Sequence, residues 1–153
     1  MRVFRNEMGV GYILAIIFGV GVILVGCAPT FNSLNDPVAS FSTFKSYRWS
    51  TDSSTSRQNS LIEKNVRYYA DASLKNKGFT LVPDRPDFVI AMNYETDYYR
   101  PYELRVLNLY VYGMQTKEPI WQGTASGTIK VDAASPDLAE AVKNILMNFP
   151  PKR

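Results

Sequence analysis

The sequence predicts an α/β (α+β) domain, a mainly antiparallel sheet of about four to five strands with two helices packed on one face. Three observations carry this. Two segments repeat a largely apolar face at helical spacing: Ile62, Val66, Tyr69, Ser73 and Leu74 in one, and Leu138, Ala141, Val142, Ile145 and Leu146 in the other. Between them lie long runs of β-branched and aromatic residues with period-two alternation. A short polar turn, Gln115-Thr116-Lys117-Glu118-Pro119, joins two of those runs as an antiparallel hairpin.

In chain order, residues 28–40 read as a tether, because Pro29, Pro37 and small polar residues discourage regular structure. The domain proper is expected over residues 41–153. Phe44 to Trp49 reads as an aromatic-rich strand, and residues 51–57 as a polar loop. A helix follows over residues 60–77. Ser60 and Glu63 have capping-box spacing, Lys64, Arg67, Asp71 and Lys75 fall on the exposed side, and Gly78 stops it. Residues 79–82 form a short edge strand and 83–86 a proline turn. Residues 87–94 set Phe88, Ile90, Met92 and Tyr94 on one face. The strand over 104–114 sets Leu107, Leu109 and Val111 against Val106, Asn108, Tyr110 and Tyr112. The strand over 120–131 carries Trp121, Gly123, Ala125, Gly127, Ile129 and Val131 at even spacing, with small residues that let a helix approach. Ser135, Pro136 and Asp137 open the last helix, and Pro150-Pro151 closes it.

The N-terminal stretch has a different composition. Arg2 and Arg5 precede an uncharged apolar run over residues 8–25, the pattern of an export signal. The run is also long enough for a retained membrane span. Position 27 tips the reading. Leu24-Val25-Gly26-Cys27 contains the single cysteine of the 153 residues and resembles the bacterial lipobox. That resemblance implies cleavage between Gly26 and Cys27 and lipid on the Cys27 sulfur. Residues 1–26 are then the signal, and 27–40 the lipidated N-terminus and flexible tether. Several acyl chains would hold firmly, at about 0.8 kcal/mol per buried methylene. Ala28 stands where aspartate would resemble an inner-membrane retention signal, so the outer membrane is the expected address.

Further motifs resemble the bacterial lipoproteins that carry domain of unknown function 4136. They are Phe44-Lys45-Ser46-Tyr47-Arg48-Trp49, Leu74-Lys75-Asn76-Lys77-Gly78-Phe79, and Pro83 to Asp87 leading into Phe88-Val89-Ile90. They continue with Pro119-Ile120-Trp121-Gln122-Gly123-Thr124-Ala125 and end with Val142 to Pro151. The family pattern of an acidic residue soon after the long strand is replaced here by Val111-Tyr112-Gly113-Met114. The resemblance implies an α/β envelope domain and brings no catalytic residues.

Composition narrows the chemistry. With no histidine there is no histidine base or metal ligand, and with its one cysteine assigned to lipid the chain has no thiol nucleophile. Phosphate-binding glycine signatures are absent. Lys+Arg 17 against Asp+Glu 14 gives a formal charge of +3, without a basic block that would point to nucleic acid. Asp84 and Asp87 flank a turn and read as turn caps, while Glu95, Asp97 and Glu103 read as a solvated loop. No enzyme, metal or cofactor is expected beyond the covalent lipid on Cys27.

Ten tyrosines are the conspicuous excess. Tyr94, Tyr98, Tyr99, Tyr102, Tyr110 and Tyr112 cluster around one inter-strand loop with Arg100 and Arg105. Such a surface can bury rings and donate hydroxyl hydrogen bonds to an envelope protein or glycan, and strand packing is the competing reading. The expected class is a lipid-anchored structural or protein-interaction module of the cell envelope, held by membrane lipid and facing the periplasm. The alternative is a periplasm-facing binding protein for a small apolar or glycan ligand.

Overall fold

The β-rich runs pair as their alternation requires, and the helical stripes close over one side of them. In the computed structural model, the described residues are 29–37, 39–51, 60–114, 118–133 and 135–150. The strands are β1 (Thr30–Asn35), β2 (Ser46–Trp49), β3 (Thr80–Leu81), β4 (Phe88–Thr96), β5 (Glu103–Gly113) and β6 (Pro119–Lys130). Among the described residues the helices are α1 (Ser60–Asn76) and α2 (Asp137–Met147), with a 3₁₀ turn at Phe41–Thr43. The open sheet has the order β1-β6-β5-β4-β2-β3.

Six strands form where four to five were expected, and the sheet is mixed. β4, β5 and β6 make an antiparallel meander, and β1 adds antiparallel to β6. β2 lies parallel to both β3 and β4, with α1 as the crossover that a parallel pair needs. The additional strand is β1. Residues 30–35, expected as part of the tether, pair with β6 from Thr30 opposite Ser126 to Asn35 opposite Trp121. Pro29 and Pro37 bracket that strand instead of interrupting it, so neither removes a ladder donor.

The core lies between the sheet and the helices. Ile62, Val66, Ala70 and Leu74 of α1 and Leu138, Ala141, Val142, Ile145 and Leu146 of α2 are buried against it. Phe149, just past α2, is fully buried where Phe41, Phe79, Phe88 and Trp121 converge, with ring centroids 5.8, 5.6, 5.5 and 5.0 Å away. Each such ring contributes about 1.5–3 kcal/mol through burial. Gly123 lets α2 come close: a Cβ there would stand 2.5 Å from Ile145 Cγ2 and would also strike the Trp121 ring. Gly78 ends α1 at φ +90°, the left-handed turn that favours glycine. α2 starts at Asp137 with Pro136 as its N-cap, one residue later than expected, and the Ser135 hydroxyl accepts the Asp137 N–H at 3.2 Å from the position before that cap. The opposite sheet face carries Val89, Ala91, Asn108, Tyr110, Tyr112, Gln122 and Thr124, by strand alternation.

Candidate functional site

The β4–β5 hairpin turns just beyond the buried Leu104, and its tip is where the exposed aromatics collect. β4 ends at Thr96 because Asp97 turns the chain: its Oδ1 accepts the N–H groups of Tyr99 at 2.9 Å and Arg100 at 3.1 Å. The Asp97 N–H donates to the Glu103 carbonyl, and the Glu103 N–H to the Arg100 carbonyl, both at 2.9 Å. Arg100 Nη1 lies 3.2 Å from Glu103 Oε2. The Val131 N–H donates to the Tyr102 carbonyl at 2.9 Å and ties the tip to the end of β6.

Held by these bonds, the tip sends its rings outward. Tyr98, Tyr99 and Tyr102 are 90%, 87% and 71% exposed, and the first two meet edge to face at 5.1 Å. Folding leaves these rings in water. They are free to be buried by something else, and tyrosine suits such a contact because its ring is apolar and its hydroxyl polar.

The tyrosines grouped by sequence are not one patch. Tyr94 faces the helices and packs against the core. Tyr110 and Tyr112 lie half-buried on the opposite sheet face, 6.3 Å apart, beside a Thr124–Asn108 hydrogen bond of 2.7 Å. At a strand's rise, Tyr110 is roughly 27 Å from Tyr102. The tip therefore comprises Tyr98, Tyr99 and Tyr102 with Arg100, and Arg105 is exposed nearby on β5. Gly26 and Cys27 lie outside the described residues.

The carboxylates have structural occupations. Asp87 Oδ2 accepts the backbone N–H groups of Lys45 and Ser46, each at 2.8 Å, and the Ser46 hydroxyl at 2.9 Å. Those bonds, the Lys45 one foremost, lower its pKa below the usual aspartate value. Asp87 is thus a clamp between β2 and the start of β4, while Asp84 is exposed on the turn. Asp71 was expected to be exposed. Instead its Oδ1 accepts the Tyr47 hydroxyl at 2.7 Å and Trp49 Nε1 at 2.9 Å. Burial, and then the bond to Asp71, pushes the Tyr47 hydroxyl far above the tyrosine range. Arg67 stacks over Trp49 at 5.3 Å. The signal for this cluster was present in β2, since Tyr47 and Trp49 are both inward and each needs an acceptor. Among the described residues no group of three or more acidic or cysteine side chains is placed to hold a metal ion.

Open clefts also mark the described surface, and two of them bear on function. One of about 370 Å³ lies between α1 and α2 and is lined by Tyr69, Ser73, Lys77, Lys143 and Met147. The other, about 630 Å³, lies at the far end of the sheet, with Ala39, Phe44, Met114 and Ile120 beside Asp36 and Thr43. Both are open to solvent. Among the described residues no helix is long and apolar enough to cross a membrane.

Fold and surface together define a single α/β domain with helices on one face of a mixed sheet and an aromatic hairpin tip. The chain belongs to the family defined by the domain of unknown function DUF4136, whose model matches residues 32–151. A solved DUF4136 family protein from Bacteroides thetaiotaomicron has the same fold at TM-score 0.56, with 11% identity over 79% of this chain and 94% of that one. A PDZ domain protein from Parabacteroides distasonis matches at TM-score 0.59 and 16% identity over 80% of this chain. The chain spans 36% of that protein's length. A PelC dodecamer from Paraburkholderia phytofirmans matches at TM-score 0.52 and 14% identity, over 78% of this chain and 96% of that one. No curated protein matches the sequence.

Proposed function

We propose that this protein is a lipid-anchored module of the bacterial cell envelope that works by contact, without turnover. Cys27 carries the lipid, residues 1–26 are removed, and the domain faces the periplasm from the outer membrane. The observation that carries the contact role is the tip: three aromatic rings 71–90% exposed on a hydrogen-bonded hairpin. The aromatic core agrees with it, since Phe149 and its neighbours lie buried between sheet and helices.

Tyrosine nitration tests the contact. In intact envelopes Tyr98, Tyr99 and Tyr102 should be protected relative to residues 29–153 purified in detergent-free buffer, while exposed Tyr68 on α1 reacts in both. Equal nitration of the tip in both preparations would remove this reading. A second reading rests on the larger cleft, whose Phe44, Met114 and Ile120 offer apolar surface to a small ligand or glycan. Phe44→Ala and Ile120→Ala should then weaken ligand retention while leaving tip protection unchanged.

A further inference from the structure

The exposed tip and the start of the described chain lie at the same end of the sheet. β1 enters with Thr30 opposite Ser126, and Glu103 at the base of the tip stands opposite Lys130. Strand β6 therefore points its last residues, the hairpin tip and the N-terminal end of β1 in one direction. Pro29 sits against Gly127, where a Cβ would come within 3.1 Å of the Pro29 Cα. Cys27 precedes Pro29 by only two residues, which reach at most about 7 Å. Tyr102 is bonded to Val131, four residues beyond Gly127, or roughly 14 Å along the strand. The laterally spaced neighbours β1, β6 and β5 add about 10 Å. An anchor at Cys27 consequently brings the tip to the surface into which the anchor inserts.

We infer that the partner of the Tyr98, Tyr99 and Tyr102 tip is the headgroup layer of the lipid bilayer itself. This rests on the lipid-anchor reading of Cys27. Tyrosine concentrates at membrane interfaces because its ring enters the apolar edge while its hydroxyl stays in the headgroups. The tip offers three such rings on a fixed backbone, beside the point where the chain meets its anchor.

Charge complementarity supplies little of the attraction. Arg100, Arg105 and Lys130 at this end are set against Glu95, Asp97, Glu103 and Asp132. Arg100 is paired with Glu103, and Asp97 is engaged by the turn. Contact driven by rings should tolerate salt and need no anionic lipid, unlike a polybasic surface. By contrast, Tyr110 and Tyr112 lie toward the other end of β5 and remain off the bilayer.

The test uses the full chain in phosphatidylcholine vesicles, and in vesicles with anionic phosphatidylglycerol added, each with and without bromine on the acyl chains near the headgroup. Tyr99→Trp places a reporter on the tip, and Met114→Trp places one at the far end of the same hairpin strand. The chain without either substitution supplies the background of Trp49 and Trp121, both buried. The Tyr99→Trp emission should shift to the blue and lose intensity in brominated vesicles, equally at low and high salt. The Met114→Trp emission should not change. Quenching of neither reporter, or of both alike, overturns the inference, as does contact that appears only with anionic lipid. Intact mass of the same sample reports the anchor separately. A lipidated chain with an unquenched tip refutes bilayer contact and leaves the anchor standing. An unlipidated chain refutes the anchor, and the quenching result still decides the tip.

Discussion

The Tyr47 hydroxyl donates to Asp71 Oδ1 at 2.7 Å, joining the inward face of β2 to α1. The same oxygen accepts the Trp49 indole N–H at 2.9 Å, so one carboxylate satisfies both polar handles of the strand. Asp71→Ala should destabilise the domain by about 3 kcal/mol, because two shielded donors lose their acceptor. Tyr47→Phe removes one bond and leaves no orphaned donor, and should cost about 1 kcal/mol. Urea unfolding of the two variants beside wild type measures the difference. Equal losses would mean that the carboxylate is not the shared acceptor in solution.

Asp87 predicts a pH dependence with a definite sign. Its folded-state pKa is lowered, chiefly by the Lys45 N–H and then by the Ser46 hydroxyl and N–H. The unfolded chain therefore binds more protons as the medium becomes acidic, and stability rises with pH in that range. The contribution is complete above the unfolded aspartate pKa of about 3.9 and is lost as pH falls through the folded value. Thermal midpoints of wild type and Asp87→Asn should differ by a constant amount at neutral pH and converge below about pH 4. Curves that stay parallel into acid would contradict the clamp.

The glycines at 123 and 78 should fail for different reasons. Gly123→Ala puts a methyl into Ile145 and the Trp121 ring, both buried, and should cost about 1–3 kcal/mol by overpacking. Gly78→Ala meets nothing within 4 Å but must hold φ +90°, a strain of about 1–2 kcal/mol. Shortening Ile145 to Ala should relieve part of the first loss and none of the second. Calorimetry on wild type, the three single variants and the two double variants reads this coupling.

Phe149 is the centre of the aromatic core, although it lies beyond the last helical residue, Met147. Phe149→Ala should cost about 3–5 kcal/mol, because a cavity opens among Phe41, Phe79, Phe88 and Trp121. Phe149→Leu should cost less. Chemical unfolding of both checks the ranking, and a milder loss for alanine would contradict it.

The elements legible in the sequence are those with a local signature. Apolar spacing and Gly78 placed α1 within a residue of its observed end, and Pro150 bounded α2. Alternation located β4, β5 and β6, and the small residue at 123 announced the approach of α2. Strand β1 was not legible because Asn32, Ser33 and Asn35 have little intrinsic strand preference. It is a strand through the partner it finds in β6, about 90 residues away in sequence. The parallel pairing of β2 was hidden for a related reason: side-chain alternation is the same in parallel and antiparallel strands. The tyrosine cluster was legible only in part. Sequence proximity grouped Tyr94, Tyr110 and Tyr112 with the tip, whereas strand geometry separates the sheet residues by face and length.

Intact mass and membrane fractionation of the protein from its own bacterium, beside Cys27→Ser, test the envelope-anchor claim most directly. The account predicts a wild-type chain that begins at Cys27, carries acyl groups and partitions with the outer membrane, and a variant that loses the acyl mass. A wild-type chain that keeps residues 1–26 and carries no lipid would contradict it.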